Sequence, residues 1–223
     1  MNKRRSIVHS RSYILSGLVQ HYDAINNTRS GHNALSSVWE DLVGNNDGTI
    51  ENAVWEDKSL RFNGNARVRY RGDITPMYTM MMTASVDHNI SGLHPRLTDG
   101  NQYPGLYAYN GASDHPFTYR IYGHGKDTLF TPTKAAPNGK LVHLTYLFDG
   151  TQVKLYFNGV YQGNVVTTIN ATSVATTYLG ANNTETRYLT GNICNFMRFD
   201  RVFTDKEIRN NALVDKYRFK IPA

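Results

Sequence analysis

The sequence predicts an all-β fold, an antiparallel sandwich or barrel, and three observations carry that expectation. Of the 223 residues, 40% are hydrophobic and only 19% charged. The remainder is rich in Asn, Thr, Gly and Tyr, the residues of short strands and polar turns rather than of helices. Glutamate, a strong helix former, occurs only at positions 40, 51, 56, 185 and 207. Turn signals recur about every eight to twelve residues, the spacing of a many-stranded β domain. Finally, one convincing helix start is present, near the C-terminus. The length suits a single large domain over residues 13–223, preceded by a basic arm over residues 1–12 that carries Lys3, Arg4, Arg5 and Arg11.

The elements follow in order. "YILSGLVQHYDA" reads as the first strand, and "INNTRSGHNALS" as a turn-rich connection. "SVWEDL", "TIENAVWE", "SLRF" and "ARVRYRG" are short strands separated by "GNNDG" and "NGN". "PMYTMMMTASVDH" is a longer apolar run, as expected of a strand buried on both faces. Asp149-Gly150 and Asn158-Gly159 are hairpin dipeptides flanked by alternating residues, so residues 140–166 predict three consecutive antiparallel strands. "TTYLGANN" and "GNICNFMRFDRVF" supply two more. Thr204 and Glu207 have capping-box spacing, Asp205 suits the first helical turn, and Ile208, Ala212 and Leu213 form a short apolar stripe. The two "WED" triplets, at Trp39 and Trp55, read as coincidence rather than as a repeat.

The formal charge of +6 attracts polyanions, but the basic residues are scattered and no groove-reading motif accompanies them, so nucleic acid is not an expected partner. The lone Cys194 excludes an intrachain disulfide and is expected to be buried and inert. No apolar run approaches the ~20 residues of a membrane span, and no h-region of a signal peptide opens the chain. The expectation is a protein made in a cytoplasm without membrane insertion, reaching any extracellular site by lysis or another signal-free route.

"HLTYLFDGTQVKLYFNGVYQG", "TYLGANN" and "YLTGNICNFMRFDRVFTDKEI" together resemble the laminin-G-like, concanavalin A-like jelly rolls, as do "VWEDLVGNNDGTI" and "LRFNGNARVRY" in the first half. The resemblance runs over roughly residues 17–216, and its leading segment is similar to the form found in bacteriophage structural and tail-associated proteins and in bacterial surface proteins. It implies a two-sheet antiparallel jelly-roll sandwich with one short C-terminal helix. It also implies a virion or surface component whose partners are a cell-surface or mucosal glycan and other virion proteins, in a homo-oligomer. A structural capsid-decoration, fibre or tail protein that binds no sugar is the alternative. Fold alone does not fix function, so the site is argued from residues.

No catalytic template fits. Glycosidases of the superfamily carry a Glu-x-Asp-x-(x)-Glu strand that sets two carboxyl groups on one face. Here Glu51 and Glu56 come nearest, yet five residues apart they fall on opposite faces of a regular strand. "SDH" at 113–115 lacks a nucleophile elbow, and the eight histidines show no zinc spacing. The expectation is therefore a non-enzyme that requires no cofactor. A structural calcium is the softer candidate, with Asp23, Asp41, Asn45 and Asp47 as oxygen donors, against the plainer reading of Asp47-Gly48 as a turn and Asp41 as a turn-capping residue.

The richest candidate surface is "YPGLYAYNGASDHPFTYRIYGHG", residues 103–125. Aromatic rings stack on sugar faces while amide, carboxylate and imidazole groups bond the hydroxyls. Strand alternation separates Leu106 and Ala108, suited to a core, from Tyr107 and Tyr109, and likewise separates Phe117 and Tyr119 from Arg120 and Tyr122. Tyr107, Tyr109, Arg120 and Tyr122, with Asn110, Asp114 and His115 in the linking loop, are the candidate ligand residues. Half-buried tyrosines of an ordinary sheet, or a subunit contact, are the other readings of the same pattern.

Overall fold

A computed structural model describes residues 12–72, 75–87, 95–100, 103–109, 118–123, 126–128, 137–166, 175–182, 184 and 186–222. Among the described residues, sixteen strands form two antiparallel eight-stranded sheets, and one helix follows them. This is the predicted concanavalin A-like sandwich.

The first sheet is built around β7 (Tyr78–Val86) and β16 (Thr190–Phe199), which pair along most of their length. From β7 it extends through β12 (Val142–Phe148) and β13 (Gln152–Phe157) to β14 (Val160–Val166). The hairpins fall at Asp149-Gly150 and Asn158-Gly159 as predicted; Asn158 and Gly159 take φ of 49° and 78°, the left-handed pair that a tight two-residue turn requires. On the other side, the first half of β16 pairs with β5 (Leu60–Asn63), which carries β4 (Val54–Trp55), and the second half pairs with β1 (Leu18–Asp23).

The second sheet runs β11 (Lys126–Thr128), β10 (Thr118–Gly123), β9 (Tyr103–Tyr109), β8 (Arg96–Gly100), β15 (Ala175–Leu179), β6 (Arg67–Gly72), β3 (Gly48–Glu51) and β2 (Val38–Trp39). "TIENAVWE" thus breaks into two strands of different sheets. Asn52, with φ of 59°, makes the step between them, a conformation Asn tolerates better than most residues.

Burial explains the composition of β7. Tyr78, Met80, Met82, Ala84 and Val86 enter the core between the sheets with Tyr22, Trp39, Phe62, Leu144, Leu155 and Phe196, while Met81 faces the other way. Met81 joins a second apolar cluster with Leu147, Met197, Phe199, Phe203 and Ile208, beneath the helix α1 (Asp205–Arg218) and the segment holding Tyr13 and Ile14. Every residue of β7 is buried, as its unbroken apolar run predicts. Cys194 is buried beside Phe219 and Ile221, and burial pushes its thiol up to about 12, so it is an inert core residue.

The capping box is present. The Thr204 hydroxyl accepts from the Glu207 amide, and the Glu207 carboxylate accepts from the Thr204 amide at 2.8 Å. Hydrogen bonds from Arg201 hold the Glu207 carboxyl down at about 2 against the opposing effect of burial. The buried helix face is only partly the expected stripe. Ile208 and Ala212 are on it, but so are Asn211 and Asp215, whereas Leu213 is half-buried and lines a surface groove.

Candidate functional site

The two sheets differ in what covers their outer faces. Over β7, β12, β13 and β16 the outer face of the first is covered by α1 and residues 13–18, held by polar as well as apolar contacts. Asp215, fully buried, accepts from His143 Nδ1 at 2.8 Å, from Thr83 Oγ1 at 2.7 Å and from Asn195 Nδ2 at 3.1 Å, as well as from the Tyr13 hydroxyl. Burial alone would raise this carboxyl, but the hydrogen bond and charge of His143, with the Tyr13 and Thr83 hydroxyls, outweigh it and hold it below the usual carboxylate range. Arg218 then joins the Tyr13 hydroxyl at 2.7 Å to Asp23 at 2.6 Å.

His143 Nε2 lies 3.1 Å from Thr145 Oγ1, so Thr145, His143 and Asp215 follow the order hydroxyl, imidazole, carboxylate of a nucleophilic relay. All three are at 0% exposure, so no substrate reaches this hydroxyl and the group clamps the helix to the sheet. Sequence reasoning missed this cluster. Its members are spread over five elements and each looks like an ordinary polar position.

The outer face of the second sheet is open along β3, β6 and β15. On β6, Val68, Tyr70 and Gly72 are buried while Arg69 and Arg71 are exposed and Arg67 is half-buried at the same parity. Register sets Arg69 between Thr49 of β3 and Tyr178 of β15, Arg71 beside Thr176, and Arg67 beside Glu51. The Arg67 guanidinium lies 5.5 Å from the Tyr178 ring centroid and pairs with Glu51 at 2.6 Å. Arg69 is looser, 3.8 Å from the same carboxylate, with 54% of its side chain exposed.

The predicted glycan residues fall on or beyond this same sheet. Tyr107 and Tyr109 are on β9, at the opposite parity from the fully buried Leu106, and Arg120 and Tyr122 are on β10. In the ladder Arg120 is opposite Tyr107, and Thr118 opposite Tyr109. Asn110, Asp114, His115 and Phe117 lie outside the described residues. The strands thus bring Tyr107 and Arg120 together and connect them through β8 and β15 to the β6 arginines. The arginine row itself was legible in "ARVRYRG" by strict alternation.

The calcium candidates are divided. Asp41 and Asp47 share one turn, where Asp41 accepts from the amides of His21 (3.0 Å), Val43 (3.2 Å) and Asn46 (3.3 Å), and Asp47 accepts from the Asp41 amide (2.8 Å) and from Arg29 (2.9 Å). This is the turn-capping role. Asn45 is exposed in that turn, while Asp23, at the end of β1, is ion-paired with Arg218. Among the described residues, no group of three or more His, Cys, Asp and Glu is placed to hold a metal ion.

One further concavity, of about 450 Å³, lies between the β13–β14 hairpin and α1, lined by Val142, Phe157, Val160, Ala212 and Leu213 with Arg209 and Lys216 among its polar residues.

Comparisons with known proteins agree with the architecture. A family model of laminin-G-like type, described as the concanavalin A-like lectin/glucanases superfamily, matches residues 73–209. No curated protein matches the chain. Among solved structures, Trypanosoma rangeli sialidase in complex with sialic acid aligns at a TM-score of 0.69 and 19% identity, over 90% of this chain and 33% of that one. Domain 4 of AbnA, a GH43 extracellular arabinanase from Geobacillus stearothermophilus, in complex with arabinotriose, aligns at 0.63 and 17% identity, over 88% of this chain and 98% of that one. The receptor binding domain of botulinum neurotoxin mosaic serotype C/D aligns at 0.57 and 10% identity, over 88% of this chain and 50% of that one. The chain therefore spans about a third of the sialidase chains it resembles. At these identities the likeness is one of fold.

Proposed function

The chain belongs to the concanavalin A-like lectin/glucanase superfamily, and we propose from that premise that it is a non-catalytic carbohydrate-binding component of a virion or surface assembly. Its ligand is a cell-surface or mucosal glycan, bound across the outer face of the second sheet. One observation carries the reading: the first sheet is covered on both sides over β7, β12, β13 and β16, whereas the second presents an open strip in which Tyr178 and the β6 arginines are tied by register to the strands bearing Tyr107, Tyr109, Arg120 and Tyr122.

A sheet face of this kind holds its side chains in fixed spacing, so little ordering is required on binding. Single sugar sites are weak, and repeated copies in an assembly raise avidity without new contacts. The carboxylates nearest to glycosidase spacing favour a binding role. Glu51 is ion-paired with Arg67, and Glu56 accepts from Ser59 and Asn192, so neither stands as a free acid facing a second carboxylate.

A glycan array probed with the wild-type chain and with Tyr107→Ala and Tyr109→Ala tests the reading. Expected is a wild-type hit among bacterial envelope or mucin glycans that both variants lose while their thermal unfolding is unchanged. Silence of the wild type, or hits insensitive to both substitutions, refutes it.

A structural role without sugar binding is the second reading, and β14, the edge of the first sheet among the described strands, favours it. On the edge strand β14, Val160, Tyr161 and Val166 are 61%, 46% and 78% exposed. An exposed apolar edge strand invites a neighbouring subunit. Light scattering of the wild type and a Val160→Lys/Val166→Lys variant separates the two, since a subunit contact there predicts an oligomer that the lysines dissociate.

A further inference from the structure

We infer that the concavity between the β13–β14 hairpin and α1 is a second ligand site, one that takes a free organic anion with an apolar body. It is independent of the glycan reading, because none of its described lining residues belongs to the second sheet.

The hollow encloses about 450 Å³, within the range of roughly 300–1,000 Å³ that drug-sized ligands occupy. Its apolar side chains come from three elements of the first sheet and from the helix. Val142, Phe157 and Ala212 are buried and make a fixed floor, whereas Leu213 is half-buried and Val160 exposed, so both form walls open to solvent. The two amides of the lining are already engaged. Asn158 Oδ1 accepts from the His143 amide at 2.9 Å, and Gln162 Nε2 donates to the Val160 carbonyl at 3.0 Å.

The remaining polar groups are two cations, Arg209 and Lys216, both exposed. Among the described residues neither has an ion pair or a side-chain hydrogen bond, and no carboxylate is in the described lining. The single acid between positions 208 and 222 is Asp215, which is fully buried and bonded to Thr83 on β7, His143 on β12 and Asn195 on β16. Positions 209, 212, 213 and 216 follow the i, i+3, i+4, i+7 spacing of one helix face. At ~1.5 Å of rise per residue the two cations stand roughly 10 Å apart along the axis, with Ala212 and Leu213 between them.

The tight turn at Gly159 orders one of these cations in advance. With φ of 78°, it comes so close to α1 that a Cβ there would lie 3.0 Å from Arg209 Cα and 3.2 Å from Arg209 Cγ. The Arg209 stem is thus packed against the hairpin, which reduces the ordering left to binding. A neutral apolar molecule would fill the floor but leave the cations without a partner. A small hydrophilic anion would meet a cation but leave the floor empty. A molecule with both parts satisfies both, and the ion contact is strengthened by the apolar surroundings. On the other flank of α1, beyond Arg209 and Leu213, a second hollow includes Lys206 and Glu207 and so mixes the two signs.

The test uses two fluorescent probes of nearly the same shape, 8-anilino-1-naphthalenesulfonate and N-phenyl-1-naphthylamine, which lacks the sulfonate. Each is titrated into the full chain and into the variants Arg209→Gln/Lys216→Gln and Val160→Trp, with thermal unfolding of all three proteins as the control. Lys216 and Val160 line this hollow and not the second one. Expected is one anionic probe per folded chain, bound at least about tenfold more tightly than the neutral probe, the worth of one hydrogen bond to a charged group. The double variant should lose that advantage while its affinity for the neutral probe stays within about twofold of wild type. Val160→Trp, which puts a large ring at the wall, should weaken both probes.

Four results overturn the inference. Equal affinity of the wild type for the two probes removes the role of charge. Anionic-probe binding that survives the double substitution, or that ignores Val160→Trp, places the ligand elsewhere. Fluorescence that rises only as the chain unfolds reports exposed core instead of a site. Absence of binding by the folded wild type refutes the site itself and leaves the glycan reading untouched.

Discussion

Replacing Asp215 by alanine tests whether the helix is held by charge as well as by apolar packing. The carboxylate is the common acceptor for His143, Thr83, Asn195 and Tyr13, all within the interface between α1 and the first sheet. Removing it leaves those donors facing an apolar methyl and a small void, in a place where no water reaches them from the surface. Hydrogen bonds to a charged group contribute about 1.5–3 kcal/mol each, but partners in one network do not add independently. The better comparison is the loss of one partner from a buried ion pair, about 3–5 kcal/mol. In a domain of this size each kcal/mol moves the melting temperature by about 2–4 °C, which places the shift at about 6–20 °C. Asp215→Asn keeps the volume and one acceptor but turns an NH2 toward donors, so its loss should be smaller, about 2 kcal/mol. The assay is equilibrium urea unfolding of the three proteins at pH 7 and pH 3. The Asp215 carboxyl is held below its unfolded value, so the stability it contributes is fully present above the unfolded value and is lost as pH falls through the folded one. The gap between wild type and Asp215→Ala should therefore narrow in acid. An alanine variant within about 1 kcal/mol of wild type at pH 7 refutes the clamp.

Two further outcomes are expected from the fold. Gly180 has φ of 77° and follows β15 where Phe62 packs against its backbone; a Cβ there overlaps the Phe62 ring, so Gly180→Ala should lose at least about 2 kcal/mol in the same urea assay. His21 is buried and bonded to Asn195 at 3.0 Å, and burial holds its imidazole below the usual histidine value. Its unfolded form takes up a proton first as pH drops below about 6.5, so stability falls with acid by up to about 1.4 kcal/mol per pH unit until the folded imidazole also protonates. His21→Gln should flatten that part of the stability profile, and an unchanged slope between pH 7 and pH 5 contradicts the assignment.

What the sequence disclosed, and what it did not, follows from the range of each interaction. The hairpins at Asp149-Gly150 and Asn158-Gly159, the Thr204 capping box and the doubly buried β7 are local, since their signals lie within a few residues of the structure they determine. The step at Asn52 from one sheet to the other was invisible, because nothing in "TIENAVWE" says which sheet its second half joins. The Asp215 cluster was invisible for a different reason. Periodicity assigns Asn211 and Asp215 to solvent because they are polar, whereas their partners on β7, β12 and β16 come from positions 20 to 132 residues away. Of the candidate site, Tyr107 and Arg120 proved to be paired in the ladder. The arginines of β6, which continue that surface, are visible in the alternation of "ARVRYRG", but nothing local to that segment says that its outer face stays uncovered.

The asymmetry between the sheets also constrains where function can evolve in this chain. Variation on the outer face of the first sheet is limited by a polar cluster in which each member satisfies another, so a single change there leaves a buried donor or acceptor exposed to nothing. On β3, β6 and β15 of the second sheet Thr49, Arg69, Arg71 and Thr176 are exposed, and their inward neighbours, Val68, Tyr70, Thr177 and Leu179, belong to the buried interior. Outward positions can therefore change charge and size at little cost to folding, while the register of β6, β15, β8, β9 and β10 keeps their spacing constant. A surface that is free in composition but fixed in geometry is suited to recognising an extended ligand. That is why the arginine row, rather than the enclosed Thr145, His143 and Asp215, is where binding should first be sought.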